Sequence, residues 1–153
     1  MIRQHPLLTT ATVLYLLAVG WVTLGPQPTG LVHASGIWQL LALLREHPSL
    51  DWIHYSDIEF AANVAMFGPI GLLLLLLLGR SRWWAALLAG PLLSLAIETA
   101  QLFIPGRVSD VRDLVSNSLG AVLGVVAGLV ITWPAAARRR RVARARTGEM
   151  RLV

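Results

Sequence analysis

Acidic, amide and arginine side chains lie in and beside three long apolar segments of this chain. In sequence order these residues are Asp57, Asn63, Glu98, Gln101, Arg107, Asp110, Asp113 and Asn117. A charged side chain within an apolar, membrane-spanning segment is costly, so it indicates a function or a specific partner. The carboxylates Glu98, Asp110 and Asp113 could act as general acid and base, while Arg107 could hold a phosphate or carboxylate group.

The other polar residues of this set are predicted to bind a ligand or substrate together with Arg107. They are Asp57, Asn63, Gln101 and Asn117. Three acids could also hold a divalent cation through oxygen ligands. We assign no metal ligands, however, and the sequence identifies no cofactor. The chain has no cysteine, which excludes disulfides and thiol catalysis.

Helical spacing predicts that these residues converge. Three sets of residues each recur at steps of three or four and so share one helix face. They are Ser94, Glu98, Gln101 and Pro105; Asp113, Asn117, Gly120, Gly124 and Gly128; and Asn63, Phe67 and Gly71. Small residues at every fourth position allow membrane helices to approach closely. If the three faces meet, Asn63, Glu98, Gln101, Asp113 and Asn117 come together.

Helix capping is the simpler explanation for some of these polar residues. Ser56 and Glu59 have the spacing of a capping box, and Asp110 has the position of an N-cap with Asp113 in the first helical turn. We therefore favour capping for Ser56, Glu59 and Asp110, whereas Asp113 fits either role. For Glu98 the alternative is a structural ion pair with Arg107 or Arg112, and the cost of burying charge favours a function.

The elements that carry these residues are predicted to be membrane-spanning helices. The chain has 153 residues, of which 56% are hydrophobic and 14% charged, which argues against an ordinary soluble domain. A bilayer core needs about 20 apolar residues in a helix. The candidate spans are Leu7–Leu24, Phe60–Leu78, Trp83–Ile104 and Leu114–Trp133. The first could be taken for a signal peptide, but no small-residue cleavage site follows it, so we expect an uncleaved span.

Arginine placement predicts the orientation of the bundle. All 13 basic residues are Arg, against 8 acids, and seven of them lie in residues 138–151. Together with Arg3, Arg80 and Arg82, that cluster places ten arginines on one side of the membrane, whereas Arg45, Arg107 and Arg112 lie on the other. The positive-inside rule then places both termini in the cytoplasm, and the count depends on the tail cluster. The polar residues would consequently face the extracytoplasmic side.

The regions outside the spans indicate contacts with lipid. The Arg-rich tail, residues 134–153, has no interleaved aromatic residues, so it is better explained as an anchor for anionic lipid than as a nucleic-acid module. Ser35–Arg45 has apolar residues near helical spacing, and it either lies on the outer membrane interface or packs on the bundle. Residues 1–153 are expected to form one membrane domain. We predict membrane lipids as partners and no nucleic acid, and the sequence leaves the oligomeric state undetermined.

Two sequence blocks resemble the VanZ-like family of small membrane proteins. Residues 63–71, NVAMFGPIG, are similar to the family pattern N-x-x-x-F-x-P-L-G, with Ile70 where Leu is usual. Glu98, Gln101 and Arg107, followed by Asp110, Asp113, Asn117, Gly120 and Gly124, match its second pattern. The resemblance covers about residues 57–128. It implies a link to resistance to teicoplanin, a glycopeptide that binds cell-wall precursors on the outer face.

Two functions remain open at the level of the sequence. We favour a four-helix, all-α integral membrane protein that binds or remodels cell-envelope components and affects glycopeptide susceptibility. The alternative is a membrane hydrolase or transferase that acts on an envelope lipid or a lipid-linked cell-wall precursor, with Glu98 and Asp113 as acid and base. The phosphotransbutyrylase label that some relatives carry has no support, since no nucleotide or acyl-phosphate site is evident. A channel is disfavoured because the polar stripes stop partway.

Overall fold

The protein is a bundle of long helices. A computed structural model describes residues 6–25, 42–43, 53–105 and 110–149, with side chains up to residue 134. In these ranges the long helices are α1 (Pro6–Leu24), α2 (Tyr55–Leu78), α3 (Trp83–Gln101) and α4 (Val111–Glu149), and there is no β-strand. A single 3₁₀ turn, Arg80–Arg82, joins α2 to α3. Four segments of this described part are long and apolar enough to cross a membrane, which confirms the predicted spans.

The ends of three helices differ from the sequence prediction. Helix α2 begins at Tyr55, five residues before the predicted apolar span that starts at Phe60, because a polar first turn precedes that span. Helix α3 ends at Gln101, and residues 102–104 form turns, so Pro105 does not continue the polar face of this helix and is exposed. Helix α4 continues past Trp133 to Glu149, where alanine and arginine favour helix. The predicted interfacial segment Ser35–Arg45 lies outside the described residues except for Ala42 and Leu43.

Large apolar side chains cover the outside of the bundle, and its interior contains polar side chains as well as apolar ones. Leu17, Trp84, Leu92 and Val130 are among many large apolar residues that are more than half exposed, as lipid-facing positions should be. The buried polar residues are Thr12, Ser94, Glu98, Gln101, Ser116 and Asn117. This distribution places the predicted polar faces of α3 and α4 inside the bundle.

Close contact between α2 and α4 forms the centre of the bundle. A Cβ added at Gly124 would meet the backbone of Gly68, and one added at Gly120 would meet the carbonyl of Val64. From the other side, a Cβ at Gly71 would meet the backbone of Ala121. The glycine stripe of α4 therefore packs backbone against backbone on α2, as predicted from its four-residue spacing. This contact fixes the rotation and the vertical position of α4 relative to α2.

Helix α1 packs on the outside of the α2–α3 pair. Val19 contributes to one small apolar cluster with Phe67, Ile70 and Ile97. The hydroxyl of Tyr15 donates a hydrogen bond of 2.8 Å to the carbonyl oxygen of Met66 on α2. Most of the remaining α1 surface is exposed, so this helix joins the bundle through few buried contacts.

Candidate functional site

Glu98 on α3 joins the N-terminus of α4. Its Oε2 accepts a 3.0 Å hydrogen bond from the backbone N–H of Asp110, and the residue is only 6% exposed. The first backbone N–H groups of a helix lack partners within the helix, and the helix dipole favours negative charge beside them. The buried carboxylate therefore stabilises the start of α4 and is itself stabilised there.

Asp110 caps α4, as the sequence predicted. Its Oδ1 accepts a hydrogen bond of 2.8 Å from the backbone N–H of Arg112. In an ordinary capping box, the residue three positions after the cap would return a hydrogen bond to the N–H of the cap residue. That residue is Asp113, but Glu98 on the neighbouring helix accepts from this N–H. The carboxylate of Asp113 instead makes a contact with α2.

Asn63 on α2 holds that carboxylate. Its amide Nδ2 donates a hydrogen bond of 2.8 Å to Oδ1 of Asp113, and both residues are half-buried. A charge-assisted hydrogen bond of this kind is stronger than a bond between neutral groups. It joins the two helices that already pack most closely, just above their glycine contact.

A second layer of polar contacts lies one helical turn deeper. The amide Nδ2 of Asn117 donates a hydrogen bond of 3.1 Å to Oγ of Ser94, and both residues are buried. The other amide atom, Oδ1 of Asn117, is buried without a hydrogen-bond partner among the described residues. A buried acceptor without a partner is unfavourable, and this oxygen is able to accept a hydrogen bond from a water molecule or from a ligand donor.

Gln101 lies on the predicted face of α3, but its side-chain amide donates to α1 instead of to the acidic residues. Its Nε2 donates a hydrogen bond of 3.0 Å to the carbonyl oxygen of Thr23, at the end of α1. Its Oε1 is also buried without a partner in the described part of the chain. Gln101 therefore attaches α1 to the polar end of the bundle.

The capping roles of the first turn of α2 are the reverse of those predicted. The N-cap is His54, and its backbone N–H donates a hydrogen bond of 2.9 Å to Oδ2 of Asp57. The predicted capping box of Ser56 and Glu59 is therefore wrong by two residues. Asp57, predicted as a ligand contact, is a capping residue, and its Oδ1 lies 3.9 Å from the guanidinium of Arg112.

Glu59 and Ser56 instead line a small cleft with the start of α4. The cleft has a volume of about 40 Å³, and its lining also includes Phe60, Asp110, Arg112 and Asp113. A volume of this size suits roughly one water molecule. Glu59 was missed as a site residue, although it lies four residues before Asn63 and so extends the face of Asn63 and Phe67.

The polar end of the bundle carries an excess of acidic residues. In the described ranges it contains Asp57, Glu59, Glu98, Asp110 and Asp113, and Arg112 is the arginine beside them. Arg107, the predicted anion-binding residue and the predicted partner of Glu98, lies outside the described residues. The negative charge of this cleft favours a ligand that brings an amino group or hydrogen-bond donors.

The described acids do not form a metal site. No group of three or more acidic or histidine side chains in the described ranges is arranged to hold a metal ion. Glu98 is directed to the Asp110 backbone, Asp110 to the Arg112 backbone, and Asp113 to Asn63. The hypothesis that Glu98, Asp110 and Asp113 share a divalent cation therefore lacks the required geometry.

Comparison with known proteins gives one match. The model of the VanZ/LLP1 family matches residues 12–132, a range that includes α2 and α3, most of α1, α4 as far as Thr132, and every site residue described above. Searches of curated proteins and of solved structures found no significant match. The match over most of the chain agrees with the four apolar helices and with the polar cluster at the α3–α4 junction. The protein is therefore a multi-pass membrane protein that belongs to the VanZ/LLP1 family.

Proposed function

We propose that the polar end of the bundle is an extracytoplasmic site that binds or remodels a cell-envelope component. The residues of this site are Asn63, Glu98, Gln101, Arg107, Asp110, Asp113 and Asn117, and Glu59 of the cleft is added to them. The convergence of α2, α3 and α4 at the Glu98–Asp110 and Asn63–Asp113 hydrogen bonds is the observation that supports this function most directly.

The distribution of arginine supports the outward orientation of this site. Arg80 and Arg82 follow α2 at the end opposite to the polar residues, and six of the seven tail arginines lie in the part of α4 after Trp133, at that same end. By the positive-inside rule, that end and both termini lie in the cytoplasm. A periplasmic reporter fused after Val153 should therefore be inactive. An active fusion would reverse the orientation and exclude an extracytoplasmic site.

The charge of the cleft supports a particular class of ligand. Carboxylates at the surface of the cleft suit an amino group or sugar hydroxyls, and Arg107, which lies between α3 and α4 in the sequence, suits a phosphate or carboxylate. Lipid-linked cell-wall precursors and glycopeptides both combine such groups. Through this site the protein would alter glycopeptide susceptibility, including susceptibility to teicoplanin, as its family suggests.

The arrangement of Glu98 favours binding over catalysis. Its carboxylate already accepts a backbone hydrogen bond that orders α4, which is a positioning role. The alternative is a hydrolase or transferase in which Asp113 and Glu98 act as base and acid. The observation in favour of that alternative is a cleft of about 40 Å³ lined by Glu59, Asp110 and Asp113, since it would place a water molecule beside carboxylates.

Mass spectrometry of envelope lipids and lipid-linked precursors separates the two functions. Cells with the wild-type protein, without it, with Asp113→Asn and with Glu98→Gln are compared at equal membrane levels. Thr99→Val is the matched control, because Thr99 is exposed and its hydroxyl bonds only within α3, to the carbonyl of Leu95. A species whose mass changes with wild type and control alone identifies an enzyme and its substrate.

Binding without reaction gives a different result. All envelope profiles would then be identical, while binding of an isolated lipid-linked precursor or of teicoplanin to the purified protein would be lost in Asp113→Asn. Unchanged profiles together with unchanged binding in Asp113→Asn and Glu98→Gln would refute a functional role for this end of the bundle.

A further inference from the structure

A large pocket lies at the end of the bundle opposite to the polar site. It has a volume of about 520 Å³ and is lined by Arg80 and Ser81 of the 3₁₀ turn, Trp83 of α3 and Leu129 of α4. We call it the Arg80 pocket. Its position, where α2 ends and α3 begins, is the level of a membrane–water interface if these helices span the bilayer. Its volume is that of a typical small-molecule site.

The guanidinium of Arg80 is held in place by neutral groups of α4. Its Nη1 donates hydrogen bonds to the carbonyl oxygen of Leu129 and, at 2.9 Å, to Oγ1 of Thr132. Thr132 in turn donates a hydrogen bond of 2.7 Å to the carbonyl of Gly128, so its hydroxyl is oriented to accept from Arg80. The guanidinium carbon also lies 5.6 Å from the centre of the Trp133 ring, within cation–π distance. One nitrogen of the guanidinium group, Nη1, therefore holds Arg80 in position against α4.

Among the side chains that the structure describes, Arg80 forms no ion pair with an acidic residue. The sequence contains no Asp or Glu in residues 60–97 or 114–148, which include the cytoplasmic halves of α2, α3 and α4. Among the described side chains, both hydrogen bonds of Arg80 go to uncharged acceptors through Nη1. The guanidinium has five N–H donors, so Nε and Nη2 remain available to an anion that enters the pocket. A half-buried arginine without a carboxylate partner favours an external anion.

The walls of the pocket show which anion fits. Trp83, which lines the pocket, and Trp133, which lies beside Arg80, are 46% and 66% exposed, and tryptophan at this level is typical of the lipid headgroup region. Trp83 and Leu129 line the pocket together with Arg80 and Ser81, so apolar residues lie next to a cation and a hydroxyl-bearing residue. A free phosphate ion would make no favourable contact with these apolar residues, whereas a phospholipid has both a phosphate and an apolar glycerol–acyl region.

We infer that the Arg80 pocket binds the headgroup of an anionic phospholipid. The phosphate accepts hydrogen bonds from Arg80 and Ser81, and the acyl chains lie along the apolar surfaces of α3 and α4. Phosphate and a planar guanidinium match in geometry, which makes Arg more suitable than a point charge here. This site is separate from the polar end of the bundle and does not depend on the function proposed for it.

The test is native mass spectrometry of the full chain in detergent, titrated with phosphatidylglycerol. Arg80→Gln removes the charge, and Ser81→Leu fills the pocket while it leaves the contacts of Arg80 to α4 unchanged. Arg82→Gln is the matched control, because it removes the same charge two residues away. The Arg82 side chain is exposed in the wild type and does not line the pocket. Parallel titrations use phosphatidylcholine and inorganic phosphate.

We expect one phosphatidylglycerol to bind more tightly than the rest and both pocket variants to weaken it about tenfold, the typical effect of losing a charged hydrogen bond. Arg82→Gln should bind like wild type, and millimolar phosphate should not displace the lipid. Equal losses in Arg80→Gln and Arg82→Gln would show general charge attraction and overturn the inference, as would displacement by free phosphate. If Arg80→Gln fails to fold, the test depends on Ser81→Leu. Unchanged phosphatidylglycerol binding in Ser81→Leu would refute the site.

Discussion

The backbone contact between α2 and α4 can be tested by one substitution at two positions. Gly124→Ala introduces a Cβ that would lie against the backbone of α2, with the Gly68 carbonyl carbon and the Leu72 nitrogen each 2.9 Å away. Gly20→Ala in α1 makes the same chemical change, but nothing lies within 4 Å of the new atom. Both glycines are in the interior of apolar helices.

The difference between these two variants isolates the close approach of the helices. Replacing glycine by alanine in a helix gains about 1 kcal/mol from backbone conformation, and this gain is common to both positions. Only Gly124→Ala must also move a neighbouring backbone, and overpacking of this kind costs about 1–3 kcal/mol. We therefore expect Gly124→Ala to be less stable than Gly20→Ala by about 1–3 kcal/mol, with Gly20→Ala at least as stable as wild type.

Unfolding in mixed micelles with increasing sodium dodecyl sulfate measures this difference. Circular dichroism reports the loss of helix, and tryptophan fluorescence reports separation of the bundle, so agreement of the two midpoints shows a single transition. Equal midpoints for Gly124→Ala and Gly20→Ala would refute the packing of α4 on α2 described above. A large loss for Gly20→Ala would show that α1 packs against a further surface.

Three further predictions concern the polar contacts, each measured by the same unfolding assay. Alanine substitutions of Asn63 and Asp113, alone and together, should give a coupling energy of about 0.5–1.7 kcal/mol, and additive effects would contradict their hydrogen bond. Ser94→Ala should cost about 1–2 kcal/mol because it leaves the buried Asn117 amide unpaired, and adding Asn117→Leu should restore much of that loss. Asp110→Ala should cost about 0.5–2 kcal/mol through loss of the cap of α4, whereas Asp110→Asn should cost little; equal effects of the two would exclude capping.

The register of the first turn of α2 illustrates where prediction from the sequence failed. Ser56 and Glu59 have the spacing of a capping box, and so do His54 and Asp57, although His is an unusual cap. The prediction from spacing favoured Ser56 and Glu59, because Ser and Glu are the more common residue types in a capping box. The helix begins two residues earlier in the structure, which exchanges the roles of Asp57 and Glu59: the first becomes a capping residue and the second lines the cleft.

Gln101 and Glu98 show a related limit. Both were placed on the buried face of α3 from their spacing, and both are buried there. Their hydrogen bonds nevertheless lead in different directions, Gln101 to the end of α1 and Glu98 to the backbone of Asp110. Spacing along one helix shows which residues share a face, but it carries no information about which neighbouring helix each of them meets.

Local sequence patterns were sufficient to predict the four membrane-spanning helices, the buried faces of α2, α3 and α4, and the family of the protein. These properties depend on local quantities, namely the length of an apolar segment, the period of 3.6 residues and the order of residues in a motif. Only the tertiary structure decided that Glu98 completes the cap of α4, that Asn63 holds Asp113, and that Arg80 crosses to α4 beside a pocket. Each of these contacts depends on the rotation and vertical offset between helices, and backbone contacts such as that of Gly124 with Gly68 set both.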